Sequence, residues 1–139
     1  KENIVIGQGP LTFTPLHALH ILMAVANDGR FVPLTANKAG IDLSAQSHPL
    51  RVGEMAALRA GWERQCNLNG LRGLAASGSG CSGWYMGTTP EDVAAYGVVV
   101  LIEDARDGAE AANVACQFVN AIEQACEPGR TCSHSVAVP

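Results

Sequence analysis

Ile6-Gly-Gln-Gly-Pro-Leu-Thr-Phe-Thr-Pro-Leu-His-Ala-Leu-His-Ile-Leu-Met-Ala-Val-Ala-Asn-Asp-Gly29 is the stretch on which the reading of this chain turns. A glycine-flanked turn leads into a short extended piece, and then Thr14-Pro15 opens a helix. The Thr14 hydroxyl suits the N-cap, and Pro15 suits the first helical position, where a missing N–H removes no hydrogen bond. Leu16, Leu19, Leu22, Met23 and Ala26 recur at helical spacing and predict a buried face, with Gly29 placed to end the helix.

Working outward, Phe31 to Leu34 reads as a short extended piece and Thr35 to Pro49 as polar loop. Leu50 to Cys66 predicts a second helix with Met55, Leu58 and Trp62 on one face. Leu71 to Cys81 is rich in Gly and Ser yet extended in character, and Gly83 to Thr88 reads as a strand followed by a turn over Thr89 to Asp92. Ala94 to Glu103 is β-branched and almost wholly apolar, which predicts a central strand covered on both faces. Asp104 to Gly108 turns the chain into a last helix, Ala109 to Cys126. Its buried stripe is predicted at Val114, Phe118, Ala121, Ile122 and Ala125, with Glu110 near the positive end of the dipole. The pattern gives an α+β domain over residues 1–126, a small antiparallel sheet of about three strands covered by helices, and a loose tail over residues 127–139.

Composition bounds the function. The 139 residues are 16% charged, with a net charge of −4 and lysine only at Lys1 and Lys38. That balance argues against nucleic acid or an anionic membrane surface as partner. No apolar run reaches the length of a membrane helix. The chain opens Lys-Glu-Asn, which predicts a piece of a longer protein, preceded by an export signal or membrane anchor. Five cysteines (Cys66, Cys81, Cys116, Cys126, Cys132) show no CxxC pair and no metal-ligand pattern with His17, His20, His48 or His134. If bridges form, Cys66–Cys81 and Cys126–Cys132 are the local candidates and Cys116 is expected unpaired; connectivity stays open.

The ordered set of Gly7-Gln8-Gly9, Thr14-Pro15-Leu16 and the exit Ala26-Asn-Asp-Gly-Arg-Phe-Val-Pro33 resembles the transpeptidase domain of penicillin-binding proteins. These are serine enzymes of the β-lactamase-like fold that cross-link peptidoglycan. Gly83-Trp84-Tyr85-Met86-Gly87 with Thr89-Pro90 is similar to that family's Trp-Phe-x-Gly strand and turn. Val98 to Glu103 is similar to its apolar strand ending in Glu, and Ala109 to Ala121 to its closing helix. The resemblance covers Ile4 to Ile122 and implies the latter half of the domain, an extracytoplasmic location and no cofactor.

Catalysis in that family needs Ser-x-x-Lys, Ser-x-Asn and a Lys-Thr-Gly strand. The first two are absent here. Thr35-Ala-Asn-Lys38 is a look-alike in a predicted loop and reads as a polar surface turn. The third motif aligns with Ala76-Ser77-Gly78-Ser79-Gly80. Ser77 and Ser79 keep hydroxyls for a carboxylate or β-lactam, and Gly78 keeps a position through which a substrate backbone can approach. Ala76 removes the ammonium, and a charge-assisted hydrogen bond contributes roughly 1.5–3 kcal/mol. The nearest cations in sequence are Arg64 and Arg72.

The resemblance therefore implies a catalytically silent, structural or partner-binding module of cell-wall assembly, with Ala76, Ser77, Gly78 and Ser79 as the substrate-binding strand. The alternative is the C-terminal half of an active transpeptidase whose nucleophile lies upstream. A hydrolase pairing Cys81 or Cys66 with His17 or His20 is a further alternative, and Trp84-Tyr85 a candidate stacking surface with one of the two in the core. An uncovered apolar sheet edge in Ala94 to Glu103 or its neighbour would pair with the missing upstream half, another chain or a second copy. Ligands implied by the resemblance are a peptidoglycan stem peptide or a β-lactam.

Overall fold

The computed structural model describes residues 13–30, 52–64, 70–78, 80–90 and 96–125. Their element order is α1 (Pro15–Ala26), α2 (Val52–Ala60), β1 (Glu63–Arg64), β2 (Arg72–Gly78), β3 (Ser82–Thr89), β4 (Tyr96–Ile102) and α3 (Gly108–Ala125). The strands form one antiparallel sheet in the order β1-β2-β3-β4. The α+β architecture is as expected, but the sheet has four strands. The additional one is the two-residue β1, too short to leave a periodic signal.

Helix α1 starts as its sequence dictates. Thr14 is the N-cap and its hydroxyl accepts from the His17 N–H at 3.2 Å. The Thr14 N–H in turn donates to His17 Nδ1 at 3.5 Å, which closes a capping box. At the other end Asp28 (φ 54°) and Gly29 (φ 83°) both take positive φ, and the Gly29 N–H bonds back to Ala24 O at 2.7 Å. Arg59 of α2 completes this terminus. Its Nη1 donates to Val25 O at 2.7 Å and its Nη2 pairs with Asp28 Oδ1 at 2.7 Å. A cation is thus held on the carbonyl end of α1, where the dipole favours it.

Alternation along β3 divides the sheet into two faces. Gly83, Tyr85 and Gly87 point toward α3, together with Val98, Val100 and Ile102 of β4 and with Gly73, Ala75 and Ser77 of β2 by register. The core sits here, with Leu71, Tyr85, Val98, Ala111, Ala112, Ala115 and Val119 buried and Cys116 packed against them. Gly73 and Gly87 are cross-strand partners, and the Tyr85 hydroxyl lies over both, 2.7 Å from where a Gly73 Cβ would stand. The ring thus fills the space two glycines leave open. On the opposite face α1 crosses the start of β4, where Gly97 admits Met23 and Leu19.

Several sequence expectations are corrected. Leu50 to Cys66 is not one helix. α2 closes at Ala60, and the Trp62 N–H bonds to Arg59 O at 3.0 Å in a tightened last turn before β1. Of its predicted face, Met55 is buried and Leu58 exposed. In α1 the buried residues are Ala18, Leu22 and Ala24, while Leu16 is 66% exposed. β4 is not central but stands at an edge of the described sheet. The stripe of α3 is rotated, because Ala111, Ala112, Ala115 and Val119 are buried while Val114 and Phe118 lie exposed. Small residues win that contact because the sheet already presents the Tyr85 ring, and only a helix face of alanines can approach it closely.

The expected pieces at Phe31 to Leu34 and Thr35 to Pro49, the tail 127–139, Ser79 and the residues before Phe13 lie outside the described residues.

Candidate functional site

Strand β2 carries the predicted site, and its two neighbours treat it unequally. β3 pairs with it along its whole length, from Arg72↔Thr88 to Gly78↔Ser82. β1 pairs only at Glu63↔Gly73 and Arg64↔Arg72. From Leu74 to Gly78 the outer edge of β2 is therefore unpaired among the described residues, and alternate N–H and C=O groups point away from the sheet.

The predicted site residues do not act as one set. Ala76, Ser77 and Gly78 are exposed, but alternation separates them. Ala76 and Gly78 share the face opposite α3 with Leu74, whereas Ser77, partnered with Gly83, points toward the α3 side. Ser79 lies outside the described residues.

Gly78 is also required by packing within the chain. A Cβ there would meet the Ser82 hydroxyl and, at 3.3 Å, the Trp84 Nε1, so the space above it on this face is taken by those two side chains. Of the adjacent aromatics, Tyr85 is core and Trp84 is half-buried on the open face, as alternation requires.

Behind the strand stands the first turn of α3. Asp107 caps it, its Oδ1 accepting from the Ala109 N–H at 2.9 Å, and Glu110 sits in the first turn. Gly108 abuts the backbone of β2 so closely that a Cβ would fall 2.5 Å from Ala76 N and 2.8 Å from Ala76 O. Likewise a Cβ on Gly83 would meet Asp107 O at 2.5 Å. Sequence reasoning missed Gly108 and Gly83, since a glycine beside a turn reads first as a turn residue.

Ala76 itself carries no charge, and neither of the cations nearest to it in sequence stands beside it. Arg72 shares its face but lies four residues back, roughly 13 Å along the strand at 3.3 Å per residue. Arg64 stands opposite Arg72 on β1. Among the described residues the one hydroxyl in the core without a hydrogen-bond partner is that of Tyr85, and burial pushes its pKa well above the ordinary tyrosine range.

Of the Cys/His alternative, Cys66 lies outside the described residues, and the pair Cys81 with His17 gains nothing from the geometry. His17 is held in the α1 cap. Cys81 is free and exposed on the β2–β3 turn, at the far end of β3 from the Gly97 level where α1 packs. The expected bridge Cys66–Cys81 is overturned by that free thiol, and the expectation of an unpaired Cys116 by its disulfide bond. Its place inside a helix predicted an unpaired thiol, but sequence carries no record of a partner brought up by the fold. Among the described residues no group of His, Cys, Asp and Glu could hold a metal ion, and no helix is long and apolar enough to cross a membrane.

No protein family, curated protein or solved structure matches the chain.

Proposed function

We propose that this chain is a non-catalytic, partner-binding module of a transpeptidase-like domain in cell-wall assembly, and that it holds an extended polypeptide along β2 without acylating. The observation that carries the reading is the edge of β2 from Leu74 to Gly78, unpaired among the described residues, beside a position, Ala76, that offers no cation. An open strand edge recognises extended backbone through main-chain hydrogen bonds, and side chains on the flanking face supply selectivity. Acyl transfer needs a nucleophile and a preorganised charge where the oxyanion develops, and the Ala76 side chain is a methyl group.

The link to cell-wall assembly rests on the resemblance of the Thr14-Pro15-Leu16 helix, the Gly83-Trp84-Tyr85-Met86-Gly87 strand and the closing helix. The α+β order of helices around an antiparallel sheet is compatible with it. The disulfide at Cys116 supports an oxidising, extracytoplasmic compartment, where such bonds persist.

The decisive test is acylation. Incubation of the full chain with a fluorescent penicillin, followed by denaturing electrophoresis, is expected to leave no covalently labelled band. A band that survives denaturation and disappears after preincubation with unlabelled penicillin would overturn the silent reading in favour of an active transpeptidase.

A further inference from the structure

The face that an added strand would share with β2 is uncharged from Leu74 to Gly78. Leu74, Ala76 and Gly78 follow one another along it, and their cross-strand partners on β3 are Met86, Trp84 and Ser82. Leu74 is 45% exposed and Ala76 is exposed, while Trp84 and Met86 are half-buried. The Trp84 indole does not stand upright over its own strand. It leans across β2, with Nε1 and Cδ1 at 3.3 and 3.4 Å from the Cβ position of Gly78. Adjacent strands lie about 4.8 Å apart, so a strand added at the open edge would run one strand spacing from the residue the indole covers.

Resting on the peptide-docking reading above, we infer that Trp84, reached across the small residues Ala76 and Gly78, selects a polypeptide segment with an aromatic or branched apolar side chain facing this surface. Two observations fix the class of ligand. The N–H and C=O groups of β2 that are unpaired among the described residues call for an extended backbone, since only a strand returns their hydrogen bonds in register. The Leu74, Trp84 and Met86 surface calls for apolar side chains at alternate positions of that strand. An acidic side chain placed there would lose water with no cationic side chain from Leu74 to Gly78 to replace it. A short side chain at residue 76 is what exposes the indole; a long one would cover it.

Titration of the full chain, labelled with nitrogen-15, with the synthetic peptide acetyl-Thr-Val-Thr-Phe-Thr-Val-Thr-amide tests this. Counterparts carrying Ala or Asp in place of Phe provide the comparison. The expected result is movement of the Leu74 to Gly78 amide signals and of the Trp84 indole N–H, with the Phe peptide bound about tenfold more tightly than either counterpart. Ala76→Lys, a change at an exposed position, is expected to remove the preference for Phe and to improve binding of the Asp peptide.

If all three peptides move the β2 amides equally and leave the Trp84 indole unmoved, the role of Trp84 is overturned while edge docking survives. If no peptide moves the β2 amides, edge docking falls as well. If those amides shift with protein concentration alone, the edge pairs with a second copy, and both readings are overturned.

Discussion

Replacing Tyr85 by Phe is expected to stabilise this protein, against the usual direction of a core substitution. The side chain is fully buried, and its hydroxyl, lying over Gly73 and Gly87, makes no hydrogen bond. A buried donor without a partner costs about 1–3 kcal/mol in lost hydration. Removing one oxygen leaves a void of a few cubic ångströms, worth roughly 0.3 kcal/mol at most. The balance is a gain of about 1–2 kcal/mol, which corresponds to roughly 4 °C per kcal/mol in Tm for a domain of this size.

Urea unfolding of Tyr85→Phe should show a higher midpoint at unchanged slope, since the surface exposed on unfolding is the same. A pH series provides an independent check. Burial raises the Tyr85 pKa above its ordinary value of about 10, so the folded protein keeps a proton that the unfolded chain releases. That contribution is fully present below about pH 10 and is lost as pH rises further, by up to about 1.4 kcal/mol per pH unit. The difference between wild type and Tyr85→Phe should therefore widen above pH 10 and stay flat below it. A variant that is less stable by 1 kcal/mol or more at neutral pH would refute the reasoning, because it would mean that the hydroxyl has a partner.

Arg59→Met removes a donor to Val25 O and an ion pair with Asp28. It should cost about 2 kcal/mol, nearly all from the charged hydrogen bond, because a half-exposed pair adds less than about 1 kcal/mol. Asp28→Gly should be close to neutral in thermal unfolding, since glycine relieves the positive φ while the ion pair is lost, and 1 M salt should erase the difference that pair makes. Gly108→Ala should destabilise by about 1–3 kcal/mol in urea despite the better helix propensity of alanine, because its Cβ meets the Ala76 backbone; a neutral result would refute that close contact.

Much of the frame was legible from residues close together in the chain. The Thr14-Pro15 start of α1, the strands at Gly83 to Thr88 and Ala94 to Glu103, and the helix after Asp107 all declare themselves through caps, apolar runs and helical spacing. Such signals live within one element, and the structure repeats them to within a residue or two. The end of α2 and the short β1 were not legible, because a single Gly61 and two paired residues leave no period to read.

The candidate site was legible as a position and not as a geometry. Ala76 to Gly78 could be placed on a strand, but alternation against β3 was needed to separate Ser77 from Ala76. The packing of Ser82 and Trp84 was needed to explain Gly78. Sequence by itself determined the types of the longer elements, an uncharged residue at position 76 and the excess of acidic over basic residues, all properties of side chains taken one at a time or at fixed spacing.

Only the tertiary structure decided which faces are used. Helix α3 carries two apolar stripes of similar length, Val114 with Phe118 and Ala111 with Ala115 and Val119, and helical periodicity cannot choose between them. The choice fell to the alanine face because Tyr85, spread over Gly73 and Gly87, leaves room for methyl groups and not for a phenyl ring. The same local contest left β2 with an open edge among the described residues: β1 begins only at Glu63, opposite Gly73, after α2 has closed, and nothing in the run Leu71 to Cys81 records where its neighbour will start.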